Sequence, residues 1–179
     1  MDLQAVFIDR DGTLGGNDRV IYPGEFELFP GVAETIQRLK ASGVLMCSFT
    51  NQPGIAIGES TISSFENELG NFGFDRIYVC PHQHDDGCQC RKPSPGMLKK
   101  AAEENHLNLD QCAVIGDRWT DLVAAHEAGC KKILVKTGSG KAAFDQYINN
   151  EFHGRWAEVK PDFIAEDINE AINWLLSLK

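Results

Sequence analysis

The sequence contains no run of about 18 apolar residues, so it lacks a segment that could span a membrane as a helix. Positive charge is also scarce, because 17 Lys and Arg residues stand against 26 Asp and Glu residues, for a net charge of −9. A surface of that sign repels phosphate backbones, which argues against a general nucleic-acid-binding protein. The first residues lack the charged and then apolar pattern of a secretory signal, and we therefore expect a cytoplasmic protein.

The composition is that of a soluble globular protein. Of the 179 residues, 42% are hydrophobic and 24% are charged, close to the average for such proteins. The length fits one domain over residues 1–179, with no internal repeat or low-complexity tract. We expect a monomer whose partner is a small molecule. An anionic molecule can still bind an acidic protein if basic groups or a metal cation are concentrated at one site.

Apolar periodicity predicts strands and helices that alternate along the chain. The predicted strands are 4–8, 44–50, 76–80, 112–117, 131–138 and 162–166, and the predicted helices are 31–43, 60–73, 94–106, 119–129 and 167–179. This alternation is typical of βαβ units and a mostly parallel sheet with helices on both faces. Ser94 is a predicted helix N-cap, and Asp167 and Glu170 have capping-box spacing. Residues 139–160 predict only an irregular helix and a loop.

Polar residues that could bind a ligand or take part in catalysis follow four of the predicted segments. In open parallel sheets, ligands bind at the carboxyl ends of the strands. The residues at these ends are Asp9 and Asp11; Thr50, Asn51 and Gln52; Arg91 and Lys92; and Asp117 and Arg118, with Asp121 four residues after Asp117. Each group alone is more typical of a turn, a helix cap or a solvated lysine. Their occurrence in order at strand ends favours one shared site.

The pair Asp9 and Asp11 indicates a metal-assisted phosphoryl site. Both carboxylates are expected to be ionised and would repel each other, and a Mg²⁺ ion between them would offset that repulsion. Asp117 can complete the metal site. A carboxylate can also attack phosphorus, while a second one exchanges protons with the leaving group and water. Lys92 and Thr50 would stabilise the charged phosphoryl oxygens.

The ordered motifs "DRDGT", "TNQ", "RKP" and "GDRWTD" resemble those of the haloacid dehalogenase superfamily of phosphohydrolases, over nearly the whole chain. The likeness is greatest to the small cap-less branch that contains heptose-bisphosphate and histidinol-phosphate phosphatases. This resemblance implies an α/β, three-layer Rossmann-like fold with no large cap domain. It also implies hydrolysis of a phosphomonoester through an aspartyl-phosphate intermediate.

The resemblance assigns a role to each candidate residue. Asp9 would be the nucleophile and Asp11 the general acid/base, while Thr50 and Lys92 would stabilise the phosphoryl group. The implied Mg²⁺ ligands are Asp9, the Asp11 main-chain carbonyl and Asp117, with Asp121 beside them. The implied contacts to the rest of the substrate are Asn51, Gln52, Arg91 and Arg118. Gly12 would allow the chain to turn sharply beneath the phosphate.

The stretch "CPHQHDDGCQC" predicts a second metal site. Cys80, His82, Cys88 and Cys90 would give Zn²⁺ three thiolates and one imidazole, which close a tetrahedral shell. The zinc would therefore be structural, and the loop 80–90 would hold Arg91 and Lys92 over the phosphate. His84 is an alternative ligand, but the position of His82 in "CPH" matches the same phosphatase branch. The other interpretation is three reduced cysteines beside a surface histidine.

The features that bear on the substrate point in two directions. "CRKPSPGML" and the C-terminal segment resemble the heptose-bisphosphate enzymes, whereas the short spacing between His82 and Cys88 resembles the histidinol-phosphate enzymes. Ile57 replaces a basic residue of the heptose type. We favour a D-glycero-D-manno-heptose 1,7-bisphosphate 7-phosphatase. The alternatives are a histidinol-phosphate or other sugar-phosphate phosphatase, a phosphotransferase, and a non-catalytic zinc-stabilised interaction module.

One stretch resembles a nucleotide-binding motif without completing it. "TGSGK" (137–141) resembles half a P-loop, but Val135 and Ala142 stand where the full pattern needs Gly and Ser or Thr. The segment 137–141 is therefore left without a predicted function.

Overall fold

A computed structural model of the chain describes residues 2–17 and 19–179. Within those ranges the protein has six strands and six α-helices that alternate along the chain. The strands are β1 (Ala5–Ile8), β2 (Leu45–Asn51), β3 (Arg76–Cys80), β4 (Cys112–Gly116), β5 (Lys131–Val135) and β6 (Phe163–Ala165). The helices are α1 (Val32–Ala41), α2 (Ile62–Phe72), α3 (Gly96–Asn105), α4 (Trp119–Ala128), α5 (Gly140–Ile148) and α6 (Ile168–Ser177).

The strands form one parallel sheet in the order β3-β2-β1-β4-β5-β6. In register, Val6 of β1 lies between Met46 of β2 and Ala113 of β4. This order is that of a Rossmann-like fold, and the direction of winding reverses between β1 and β4. The carboxyl end of β1, where Asp9 begins, therefore lies at the point where such sheets bind ligands.

Apolar side chains cover both faces of the sheet. Val6 and Ile8 of β1 pack on one face with residues of α1, α2 and α6, whereas Ala5 and Phe7 pack on the other with residues of α3 and α4. Since successive residues of a strand point to opposite faces, a strand covered on both sides is apolar throughout. All four residues of β1 are buried. The predicted three-layer α/β fold is thus confirmed.

Several predicted boundaries differ from the observed ones near the site. The fifth strand ends at Val135, three residues before its predicted end, because residues 136–139 turn toward the carboxyl end of β1. The predicted Ser94 N-cap is wrong. Helix α3 begins at Gly96 without a side-chain cap, and the Ser94 N–H instead closes a turn by donating to the Arg91 carbonyl. Asp167 does cap α6, because its carboxylate accepts from the Glu170 N–H at 2.9 Å.

The longest connection near the site joins β1 to α1. Gly15 bridges to both Asp11 and Leu28, so the connection folds back beside the end of β1. Its described residues, 9–17 and 19–31, include no helix or strand, in agreement with the predicted lack of a large cap domain. None of the helices in the described part of the chain is long and apolar enough to cross a membrane.

Candidate active site

A cavity of about 450 Å³ opens at the carboxyl edge of the sheet. It brings together side chains from the ends of β1, β2 and β4 and from the segment after the cysteine cluster. All the residues predicted from the four strand ends line it: Asp9, Asp11, Thr50, Asn51, Gln52, Arg91, Lys92, Asp117, Arg118 and Asp121. Residues far apart in sequence therefore share one concave, polar site.

The ammonium group of Lys92 lies at the base of this cavity. Its Nζ atom is 2.9 Å from Asp9 Oδ1 and 2.7 Å from Asp121 Oδ1, and it donates to the Phe49 carbonyl at 3.0 Å. Burial alone would lower the pKa of Lys92, but the attraction of Asp121 and Asp9 outweighs it and raises the pKa above its ordinary value. Lys92 is therefore a fixed positive charge beside Asp9.

Three buried carboxylates surround that single positive charge. Asp9, Asp117 and Asp121 are 5%, 1% and 0% exposed, and one oxygen of each lies within 4.8 Å of the others. Burial and the nearby charges of Asp9 and Asp121 raise the pKa of Asp117 to about 8. Burial raises the pKa of Asp121 to about 6, although Lys92 opposes the shift. The cluster formed by these three carboxylates and Lys92 thus has more acidic than basic groups.

These carboxylates suit Mg²⁺, which prefers oxygen ligands and would balance their excess negative charge. Asp117 is held in place by the Thr13 hydroxyl, which donates to Oδ1 at 3.2 Å, and by the Ser139 N–H, which donates to Oδ2 at 2.8 Å. Asp121 accepts the Arg118 N–H at 3.1 Å and contacts Lys92. Thr13 and Ser139 therefore fix the orientation of Asp117, and Asp121 joins Asp9 in holding Lys92.

The carboxylate of Asp11 faces the cavity and is 42% exposed. Its Oδ1 is 2.5 Å from Arg10 Nη1, and its Oδ2 accepts from Gln52 Nε2 at 2.7 Å. Burial raises the pKa of Asp11, against the opposing charge of Arg10. A raised pKa favours the protonated form that a general acid needs.

Two residues of the predicted "TNQ" motif hold other site residues in place. The Asn51 side chain accepts from the Lys92 N–H at 3.0 Å and donates to the Lys92 carbonyl at 3.2 Å. Gln52 donates to both Asp11 and Thr50, the latter at 2.9 Å. Both side chains were predicted only as substrate contacts, and the structure adds a positioning role for each.

The second predicted metal site is also assembled. The Cys80 sulfur is 3.7 Å from Cys88 and 3.2 Å from Cys90, and His82 Nδ1 is 3.5 Å from Cys80 and 3.2 Å from Cys90. Ligands of a tetrahedral zinc are separated by about 3.4–3.8 Å, given the usual bond lengths. The cluster is therefore compatible with a closed, structural zinc site, and it contains His82 rather than His84.

The cysteine cluster is joined directly to the segment that carries Arg91 and Lys92. Burial would raise the pKa of Cys88, but the main-chain N–H groups of Arg91 and Cys90, which donate to its sulfur, and the neighbouring thiols together lower it to about 7. The residues after Cys90 then enter the cavity. A metal bound to the cluster would thus fix the position of the main chain at Lys92.

Some cavity residues were not predicted from the sequence. Asn17, Arg19 and Tyr22 belong to the connection after β1, and Gly138 and Ser139 follow β5. The segment 137–141 lies outside the predicted site, yet the main-chain N–H of Ser139 holds Asp117. Their position in the sequence could have indicated them, because both segments follow the carboxyl ends of parallel strands, where such sheets bind ligands.

Two family models match the chain. One describes a haloacid dehalogenase-like hydrolase and matches residues 16–129, and the other, HAD-hydrolase-like, matches residues 89–171. Together they cover most of the cavity residues but begin after Asp9 and Asp11.

Curated relatives and solved structures extend the match to the N-terminal residues. A D-glycero-beta-D-manno-heptose-1,7-bisphosphate 7-phosphatase of Bordetella bronchiseptica is 34% identical, over 80% of this chain and 87% of its own length. A D-glycero-D-manno-heptose-1,7-bisphosphate 7-phosphatase of Thermosynechococcus vestitus is 33% identical, over 98% and 96%. A crystal structure of the D,D-heptose 1,7-bisphosphate phosphatase of B. bronchiseptica with magnesium and phosphate has a TM-score of 0.82 and 31% identity, covering 98% of this chain and 99% of that one.

These matches agree with the geometry of the cavity, in which paired carboxylates, a buried lysine and a hydroxyl converge at the end of β1. The chain belongs to the haloacid dehalogenase-like hydrolases, and it is a phosphatase of that family.

Proposed function

We propose that the protein is a Mg²⁺-dependent phosphatase that removes the 7-phosphate of D-glycero-D-manno-heptose 1,7-bisphosphate through an aspartyl-phosphate intermediate. The observation that carries the mechanism is the convergence of Asp9, Lys92 and Asp117 in one cavity, with Lys92 Nζ 2.9 Å from Asp9. The substrate is supported by the names of the relatives at 33–34% identity. The interaction-module alternative is disfavoured because every predicted catalytic side chain lines the cavity.

In the first step, a carboxylate oxygen of Asp9 attacks phosphorus and the bond to the leaving sugar oxygen breaks. Asp11, protonated at that stage, gives its proton to the leaving oxygen. Lys92 and Thr50 stabilise the negative charge on the phosphoryl oxygens. Lys92 is fixed for this role by Asp121, Phe49 and the Asn51 amide.

In the second step, Asp11 is a carboxylate and accepts a proton from water as the water oxygen attacks phosphorus. The bond between phosphorus and Asp9 breaks, which releases phosphate and restores the Asp9 carboxylate. Mg²⁺, held by Asp9, Asp117 and the Asp11 main-chain carbonyl, would neutralise phosphate charge when bound. Asp117 is kept in a fixed orientation by Thr13 and Ser139 throughout.

Arg91 and Arg118 line the cavity and would contact the rest of the substrate. Arg91 Nη1 is buried and, within the described ranges, has no hydrogen-bond partner. A buried donor without a partner is costly, by about 1–3 kcal/mol. A hydroxyl or anionic oxygen of the bound substrate would satisfy it, which supports a polyhydroxylated or doubly charged molecule.

The experiment is a phosphatase screen with Mg²⁺ over D-glycero-D-manno-heptose 1,7-bisphosphate, other sugar phosphates and histidinol phosphate, with Asp9→Asn alongside. We expect the heptose bisphosphate to give the highest kcat/KM and Asp9→Asn to abolish turnover. A higher kcat/KM for histidinol phosphate would replace the substrate, and full turnover by Asp9→Asn would refute the nucleophile. Transfer of the phosphoryl group to an alcohol, instead of to water, would indicate a phosphotransferase.

Three further parts of the proposal concern organisation. We propose one domain over residues 1–179, a monomer, and a cytoplasmic location. The location is supported by six unpaired cysteines, since a zinc cluster needs reduced thiolates. Size-exclusion chromatography with light scattering tests the monomer, for which one protomer mass is expected.

A further inference from the structure

In the sequence, Arg10 stands between the two active-site aspartates, and its side chain is completely buried. Its Nε is 2.7 Å from Glu68 Oε1 of α2, and its Nη1 contacts Asp11 Oδ1 at 2.5 Å and the Ile21 carbonyl at 2.8 Å. The rings of Phe26 and Phe65 lie 3.9 and 4.9 Å from its central carbon. The side chain thus joins α2, the connection after β1, and Asp11.

This arrangement is poorly suited to a purely structural purpose. Arg10 Nη2 is buried and has no hydrogen-bond partner among residues 2–17 and 19–179. An unmet donor and a buried ion pair both carry desolvation costs, and apolar residues of similar volume often stabilise such positions as well or better. The one contact that an apolar residue could not reproduce for the reaction is the hydrogen bond to Asp11.

Together, Arg10 and Gln52 fix both oxygens of Asp11. One is held by Arg10 Nη1 and the other by Gln52 Nε2 at 2.7 Å. Because the carboxyl plane is set by two donors on opposite sides, its orientation toward the cavity is determined. Proton transfer depends steeply on such geometry, and displacement by about 1 Å can cost about 100-fold in rate.

We propose that Arg10 is a positioning residue for the acid/base group Asp11, held in place by Glu68, Phe26 and the Ile21 carbonyl. This inference rests on the proposed function, because it assumes that Asp11 protonates the leaving group. Arg10 itself is enclosed and does not touch substrate. Its contact with the Ile21 carbonyl also ties Asp11 to the cavity wall at Val20 and Tyr22, which line the site.

The test compares Arg10→Met with the wild type on two aryl phosphates of similar shape, phenyl phosphate and 2,4-dinitrophenyl phosphate. Phenolate is a basic leaving group that needs the proton from Asp11, whereas dinitrophenolate leaves without it. We expect kcat/KM for phenyl phosphate to fall at least about tenfold more than kcat/KM for the dinitrophenyl ester, within the about 10²–10⁴-fold range of general acid catalysis. Equal losses on both esters would overturn the proposal.

Two further variants separate positioning from folding. Glu68→Gln keeps a neutral acceptor for Arg10 Nε and keeps Arg10 itself, so the ratio of the two kcat/KM values should change less than in Arg10→Met; an equal change would contradict the role of the Asp11 contact. Arg10→Lys keeps the positive charge without the planar guanidinium group. Its ratio of the two kcat/KM values should therefore lie between those of Arg10→Met and the wild type, and a ratio equal to that of Arg10→Met would contradict the proposal. If Arg10→Met does not fold, the double variant Arg10→Met/Glu68→Met, which leaves no buried partner charge, is measured in its place with the same expectation.

The same data distinguish this inference from the proposed function. A wild-type protein that hydrolyses both esters with Mg²⁺, combined with equal losses in Arg10→Met, would remove the role of Arg10 and leave the phosphatase mechanism standing. A wild-type protein that hydrolyses neither ester would remove the mechanism, and the role of Arg10 with it.

Discussion

Replacing Lys92 by Met removes the only side-chain cation seen in contact with Asp9 and Asp121 within the described residues. At an effective dielectric constant of about 20, a pair 2.9 Å apart attracts by about 6 kcal/mol before desolvation is counted. Removing one partner of a buried pair costs about 3–5 kcal/mol, because the remaining charge is left uncompensated. We therefore expect Lys92→Met to lower the free energy of unfolding of metal-free protein by about 3–5 kcal/mol at pH 8.

The loss should be smaller at pH 6. The pKa values of Asp117 and Asp121 in the folded protein, about 8 and about 6, lie above the ordinary value of 3.8. Between pH 3.8 and about pH 8 the folded state therefore binds more protons than the unfolded state. The free energy of unfolding falls as pH rises through that window. Without Lys92 the pKa of Asp121 rises further, because Lys92 lowers it in the wild type. Protonation at pH 6 then relieves more of the repulsion among the carboxylates than protonation at pH 8 does.

The assay is urea unfolding of metal-free wild type and Lys92→Met at pH 6 and pH 8. The matched control is Lys100→Met, because the pair of Lys100 with Glu104 at 3.8 Å is exposed, and exposed pairs contribute about 0–1 kcal/mol. Phosphatase activity of Lys92→Met should also fall about 10²–10³-fold. A stability loss equal to that of Lys100→Met, or a larger loss at pH 6 than at pH 8, would refute the reasoning.

Three other perturbations have defined outcomes. The apparent affinity for Mg²⁺, measured by calorimetry, should rise about tenfold per pH unit up to about pH 8, because Asp117 must lose a proton to bind; a flat profile from pH 6 to 8 contradicts this. Zinc removal, or Cys88→Ser, should lower Tm by at least about 10 °C, since each kcal/mol is worth about 2–4 °C in a chain of this size; zinc-free protein with unchanged Tm contradicts it. Gly138→Ala should weaken Mg²⁺ binding at least about tenfold, because its Cβ would lie 2.3 Å from Asp117 Oδ2. Gly43→Ala is the control, with a similar positive φ and nothing within 4 Å, and equal effects of the two on Mg²⁺ affinity would refute the steric argument.

The sequence predicted the architecture well because the signal is local. The central strands β1, β2 and β4 are buried on both faces and read as short apolar runs, and most helices have apolar residues at helical spacing. Strands joined by βαβ units run parallel, so the carboxyl ends of β1, β2 and β4 could be expected to lie at one edge of the sheet. The convergence of Asp9, Thr50 and Asp117 was therefore predictable from the sequence.

Contacts made by connecting segments could not be predicted in the same way. Nothing in "TGSGK" indicates that the Ser139 N–H would hold Asp117, because that contact depends on how the turn after β5 approaches β1. Likewise, Arg10 carries no sequence signal for burial between Phe26 and Phe65. A charged residue beside two aspartates is more simply expected to be solvated.

The Ser94 prediction was wrong for a related physical reason. Ser followed by Pro is a good start for a helix when the chain is otherwise free. Here residues 91–95 are held between the cysteine cluster and the Asn51 clamp on Lys92, and the Ser94 N–H donates to the Arg91 carbonyl. The tertiary contacts that place Lys92 thus override the local preference.

The most direct test of the mechanism is to look for phosphate on Asp9. Asp11→Asn is mixed with 2,4-dinitrophenyl phosphate and Mg²⁺, quenched in acid after the first turnover, digested and mapped by mass spectrometry. Since the dinitrophenolate needs no proton and the hydrolysis of the intermediate needs the missing base, we expect a peptide that carries phosphate on Asp9. Release of dinitrophenolate with no phosphate on Asp9 would contradict covalent catalysis by this residue.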